Sequence, residues 1–164
     1  KGATEEFVAL KSAAVENGVI ASALDKIPLT VKKGIPTLPE LQSKFDEVYS
    51  VSRQAAYVPR GRSGLEGQLA GKVFAALSLP PTHDKPPPTS ESRGKMADYI
   101  LARATYHIKL GDLEQAVKDL DQLSGQVAFS VKDWKSAAMD RVAVDKALKV
   151  IKMECALMNQ NMVA

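Results

Sequence analysis

Few residues in this chain could do chemistry, and their spacing does not favour it. The two histidines, His83 and His107, stand far apart and belong to no motif. A zinc protease would show HExxH, a serine hydrolase GxSxG and a nucleotide-binding loop the Walker glycines; none of these occurs. There is no paired-carboxylate signature. His83 lies in a proline-rich stretch, and His107 falls mid-helix, where it reads as a packing residue. Cys155 sits on an apolar stripe and reads as a small core residue. A single cysteine makes neither an internal disulfide nor a thiolate metal cluster. No catalytic, cofactor-binding or metal-binding residue is assigned. The chain reads as a binding or structural module rather than an enzyme.

The elements that would position any surface are helices. Met96, Ile100, Ala104 and Ile108 recur at a four-residue spacing, and Leu113, Ala116, Val117, Leu120 and Leu123 follow a three-to-four spacing. Each set lies on one helical face. Between them Gly111 suits the left-handed residue that ends a helix, and Asp112 suits the N-cap of the next. So short a break folds the helices back on each other, with small Ala104 and Ala116 allowing close approach. Gly125 stops the second helix. A long helix over 126–160 follows, with Val127, Val131, Trp134 and Ala138 in one phase and Val144, Leu148, Ile151 and Cys155 in another. The slip predicts a kink or a change of packing partner near Met139–Val142.

The first half is helical as well. Residues 4–27 read as a helix with Thr4 as N-cap, interrupted at Asn17-Gly18 and ended before Pro28. Lys32-Lys33-Gly34 reads as the end of a short turn. Thr37 and Glu40 form a capping box for a helix over 38–58, whose seam is Leu38, Leu41, Phe45, Val48, Ser52 and Ala55. A helix over about 65–78 carries Gly67 and Gly71 four apart, so one face is smooth enough for close packing. The expected fold is all-α, a bundle of about six helices. A first part, 1–79, and a last part, 93–164, are joined by a proline-rich strap over 80–92. The strap reads as a stiff extended connector rather than an SH3 ligand.

Composition sets limits. Hydrophobic content of 45% suits a folded chain, and a net charge of +3 is too mild to suggest nucleic acid. No apolar run approaches the ~20 residues a membrane-spanning helix needs. The first residue is Lys, so the chain reads as a fragment of something longer, with targeting signals upstream. Helices with more apolar face than a small monomer can bury favour self-association, for which Leu41, Phe45, Val48, Gly67 and Gly71 are candidates. Arg53, Arg60, Arg62 and Lys72, opposed locally only by Glu66, could face anionic headgroups at ~1 kcal/mol each. Tyr106, His107 and Trp134 are candidates for a partner groove on the hairpin, whose structural residues are Gly111, Asp112, Ala116 and Gly125. The Gly-Asp turn with Ala104, Tyr106 and Ala116 looks like one tetratricopeptide unit, and no second copy follows.

A resemblance covers about residues 20–158. It begins at Ala23-Leu24-Asp25-Lys26-Ile27-Pro28 and Lys33-Gly34, and continues at Leu38-Pro39-Glu40-Leu41 with Phe45, Val48 and Arg53. Lys85-Pro86-Pro87-Pro88 has a counterpart in animal members. The strongest block runs from Ala104-Thr105-Tyr106 through Gly111-Asp112-Leu113 and Ala116, Leu120, Leu123 and Gly125 to Asp133-Trp134. In order and spacing these resemble the C-terminal domain of the mitofilin family. Two departures stand out: Met139 follows Ala138 where the family often has Ala-Arg after the Trp, and the 65–78 helix is poor in aromatics. The resemblance implies that the whole chain is one such domain, a scaffold at mitochondrial crista junctions. It implies an inner-membrane protein whose domain faces the intermembrane space. It also implies self-association, most simply as a dimer, and a small partner with a twin Cys-helix-Cys domain. The alternative is a tetratricopeptide-like adaptor gripping an extended peptide.

Overall fold

A computed structural model describes residues 2–58, 64–79, 81–82 and 93–163. The described residues form seven α-helices and no strand: α1 (Gly2–Ala13), α2 (Gly18–Asp25), α3 (Leu38–Ala56), α4 (Leu65–Leu77), α5 (Arg93–Leu110), α6 (Leu113–Leu120) and α7 (Gly125–Val163). Two short 3₁₀ turns cover Ala14–Glu16 and Leu29–Lys33. The all-α expectation holds. The helix beyond the expected six comes from the Asn17-Gly18 break. There the Asn17 side chain accepts from the N–H groups of Val19 and Ile20, both at 3.0 Å, and starts α2 afresh. Thr4 lies inside α1, which begins at Gly2, and is not its cap. Residues 83–92 of the proline-rich strap, His83 among them, lie outside the described residues, as do Arg60 and Arg62.

The helices group into two compact units: Thr37–Ala138, and Lys1–Pro36 together with Met139–Ala164. Neither coincides with the stretches 1–79 and 93–164. The slip of apolar phase in α7 falls where that helix passes from one grouping to the other. The change of packing partner is therefore found, while the helix continues unbroken through Met139–Val142.

The larger unit is assembled around α3. Thr37 and Glu40 form the capping box: the Thr37 N–H donates to Glu40 Oε2 at 2.6 Å, and Thr37 Oγ1 accepts from the Glu40 N–H. That backbone bond holds the Glu40 carboxyl below its usual range. Leu41 and Phe45 then turn inward beside Leu101, Ala104, Ile108, Ala116, Leu120, Val131 and Trp134, all buried. The Trp134 Nε1–H donates to the Leu41 carbonyl at 2.9 Å, and its ring meets Phe45 edge-on at 4.7 Å. Ser52 and Ser130 join α3 to α7 at 2.8 Å. Ser130 spends its proton on the Val127 carbonyl, so Ser52 is the donor between them.

The α5–α6 hairpin turns at Gly111, with φ of 81°. The Gly111 N–H bonds to the Ile108 carbonyl and the Asp112 N–H to the His107 carbonyl, the two bonds of a Schellman ending. Asp112 caps α6 by accepting from the Gln115 N–H at 3.0 Å. Ala104 and Ala116 are fully buried where the two helices meet. Gly111→Ala would force an L side chain into left-handed backbone, with Leu38 Cδ2 only 3.3 Å from the new Cβ. A loss of about 1–2 kcal/mol is expected, read as a lower urea midpoint. Gly125 does not stop α6, which ends earlier, at Leu120; with φ of 63° it opens α7 in the same left-handed region.

The smaller unit has a modest core of Ala14, Ile20 and Leu24, with Phe7, Ile27 and Ile151 packed against it. Asn17 ties it together a second time, donating to Glu154 Oε1 at 3.0 Å. Thr30 donates to Asp140 at 2.7 Å.

Candidate functional site

The most exposed apolar surface in the larger unit is on α4. Leu65, Leu69 and Leu77 are 86%, 65% and 76% exposed, and Val73 completes their i, i+4 stripe. Glu66 and Lys72 flank it. The opposite face, Gly67, Gly71 and Ala75, is buried. The smooth face therefore packs within the chain. A Cβ at Gly71 would stand 2.8 Å from the Gln54 carbonyl oxygen and 2.9 Å from Val58 Cγ2.

Beneath α4 lies a buried polar group that periodicity did not point to. Arg53 Nε contacts both Asp98 carboxylate oxygens at 3.1 Å, and Tyr57 donates to Asp98 Oδ2 at 2.9 Å. Arg53 Nη2 donates to the carbonyl of Ser78, the C-cap of α4. The Arg53 side chain is 12% exposed and that of Asp98 3%. Burial pushes the Asp98 carboxyl above the usual carboxylate range, outweighing the lowering by Tyr57 and Arg53. Burial likewise raises the Tyr57 hydroxyl. A second buried carboxylate, Asp119, accepts from Arg103 at 2.5 Å. That bond raises the Arg103 guanidinium above its ordinary value. His107 Nε2 lies 3.6 Å from the other Asp119 oxygen.

These positions correct several expectations. Leu41, Phe45, Gly67 and Gly71 are buried within the chain, so they offer no face to a second copy; Val48 is half-buried. Arg53 is not lipid-facing, because its guanidinium is engaged by Asp98 and Ser78. Lys72 is exposed. Trp134 is a core anchor, not an interface residue. Cys155 is exposed rather than in the core. Tyr106 is partly exposed and stands edge-on to His107 at 5.4 Å.

Asp98 and Asp119 were the functional-looking residues missed. Both carried a signal: Asp98 sits inside the apolar run Ala97–Leu101, and Asp119 shares the inward phase of Ala116 and Leu123. A shallow cavity of about 310 Å³ between α3 and α5 is lined by Gln42, Ser43, Asp46, Thr105, Ile108 and Lys109. His107 is not part of its lining. Among the described residues no group of His, Cys, Asp and Glu could hold a metal ion, and no helix is long and apolar enough to cross a membrane.

Comparison with known proteins places these features. Residues 3–156 match the Mitofilin family, described as a mitochondrial inner membrane protein. MICOS complex subunit MIC60 of Paracoccidioides brasiliensis (strain Pb03) is 28% identical over 153 residues, which cover 93% of this chain and 21% of that protein. The Neurospora crassa subunit is 28% identical over 154 residues, covering 93% and 22%. That of Sordaria macrospora is 28% identical over 159 residues, covering 96% and 22%. The chain thus spans about a fifth of the length of these relatives. No solved structure matches it. With the match running from the first turn of α1 to the last turns of α7, the chain belongs to the mitofilin family.

Proposed function

We propose that this chain is the non-enzymatic assembly domain of a crista-junction scaffold, laid against the inner membrane by α4 on its intermembrane-space side. The observation that carries the reading is the aliphatic ridge Leu65, Leu69, Val73 and Leu77. A lipid surface suits it for three reasons. The family is described as an inner membrane protein. The ridge belongs to a 13-residue helix, shorter than the ~20 residues needed to span a bilayer but long enough to lie in its interface. And its side chains stand exposed along one helix face, which a fluid bilayer accommodates without a matching groove. Lys72 at its flank is placed to meet anionic headgroups.

Self-association belongs, in this reading, to the smaller unit. There Val15, Val19, Leu29, Met153 and Leu157 are exposed around a core of few residues. The small twin Cys-helix-Cys subunit would be a further partner, with Tyr106 and His107 as candidate contacts. The adaptor reading gains no support from the hairpin, since α3 packs along α5 and Gln42 donates to the Ile108 carbonyl at 2.9 Å.

Vesicle co-sedimentation tests the membrane role. Leu69→Asp is expected to weaken binding to phosphatidylcholine vesicles doped with an anionic lipid by about tenfold or more, since burying one leucine is worth about 1.5–3 kcal/mol. Equal binding by the variant and the parent would overturn the reading.

A further inference from the structure

We infer that Arg53 is a positioning residue for α4, holding that helix folded on α3 with its aliphatic ridge outward before any membrane is met. The inference rests on the membrane reading above and adds how the ridge is kept ready.

By itself α4 is a poor helix. It has 13 residues, two of them glycine, and its N-cap Gly64 supplies no side-chain bond. A segment this short and glycine-bearing is not stably helical in water. Its order must come from what it packs against. Two contacts provide that. The first is the glycine face, where Gly71 lies so close to Gln54 and Val58 that no side chain fits between them. The second is Arg53. Its Nη2 donates to the Ser78 carbonyl, an acceptor that the end of a helix leaves unpaired and where a cation is favoured. The same guanidinium is fixed through Nε on Asp98, at the start of α5, and Tyr57 fixes Asp98 in turn. One planar fork thus links α3, the end of α4 and α5. Lysine's three donors all radiate from one nitrogen and lack the planar fork that spreads the guanidinium over both partners.

A membrane helix that is already folded avoids the ordering cost at the moment of binding. If the folded fraction falls, apparent affinity falls in proportion. The double variant Arg53→Met/Asp98→Leu removes both charges together, so that neither is left buried alone. Gly71→Ala disturbs the other contact and leaves the buried charges in place. Hydrogen exchange and vesicle co-sedimentation are measured on each, with Leu69→Asp in parallel. In both variants α4 amides are expected to lose nearly all protection, leaving α4 folded about a tenth of the time, while those of α6 keep theirs, and vesicle affinity is expected to drop about tenfold in proportion.

Unchanged α4 protection in the double variant overturns the inference. So does near-complete loss of α4 protection with unchanged affinity when Leu69→Asp does weaken binding. If Leu69→Asp binds as the parent does, the membrane reading fails. The exchange result then decides alone whether Arg53 positions α4.

Discussion

Trp134→Ala is expected to lower the stability of the larger unit by about 3–5 kcal/mol, the range for deleting a buried indole from a packed core. Three losses combine at this residue. The ring is 5% exposed and leaves a cavity beside Leu41 and Phe45. Its edge-on contact with Phe45 disappears. The Leu41 carbonyl loses the donor that Trp134 brings from α7. Against a typical domain stability of about 5–15 kcal/mol this is a large fraction, and it should appear as a much lower urea midpoint by far-UV circular dichroism. Trp134→Phe separates the parts. It keeps most of the packing and drops the hydrogen bond, so a loss of about 1–2 kcal/mol is expected. An alanine variant as stable as the parent would mean that the indole is not the core anchor its burial indicates.

The second large effect is at Asp98. Asp98→Ala removes the carboxylate that pairs with Arg53 Nε and leaves a guanidinium that is largely out of water with the Ser78 carbonyl but no counter-ion. Breaking a buried pair from one side costs about 3–5 kcal/mol, chiefly through the charge left behind. Asp98→Leu combined with Arg53→Met should recover most of that loss, because the pair itself adds little net stability. The pH dependence has a definite sign. Burial raises the Asp98 carboxyl in the folded state, so between its ordinary and raised values the native chain retains a proton that the unfolded chain has released. Its contribution to stability therefore falls as pH rises across that window. Urea midpoints collected against pH should show this slope in the parent and lose it in the double variant.

Much of the helical layout could be read from residue spacing because it depends on local chemistry. Thr37 and Glu40, Asn17, Gly111 and Asp112 each act within four residues of their own position, and each does in the structure what its type suggests. Tertiary choices are different in kind. Leu41, Phe45 and Trp134 carry an apolar label that fits a core and an interface equally well, and only the return of α7 beside α3 decides between them. Arg53 looked like a headgroup contact because its partner Asp98 lies 45 positions away. The smooth face of α4 was legible in Gly67 and Gly71. That the opposite, aliphatic face would be the one left uncovered was not, since covering it depends on neighbours that no local pattern names.

The chain holds one tryptophan, and it is buried in the larger unit. Its emission therefore reports on the core of that unit directly, while the unit built from α1, α2 and the end of α7 holds no tryptophan. Ellipticity at the same wavelengths for all helices adds the two together. Overlaying the two melting curves, with no label and no mutation, measures the cooperativity between the units. Coincident curves mean one all-or-none transition, and any gap is the range over which one unit persists without the other.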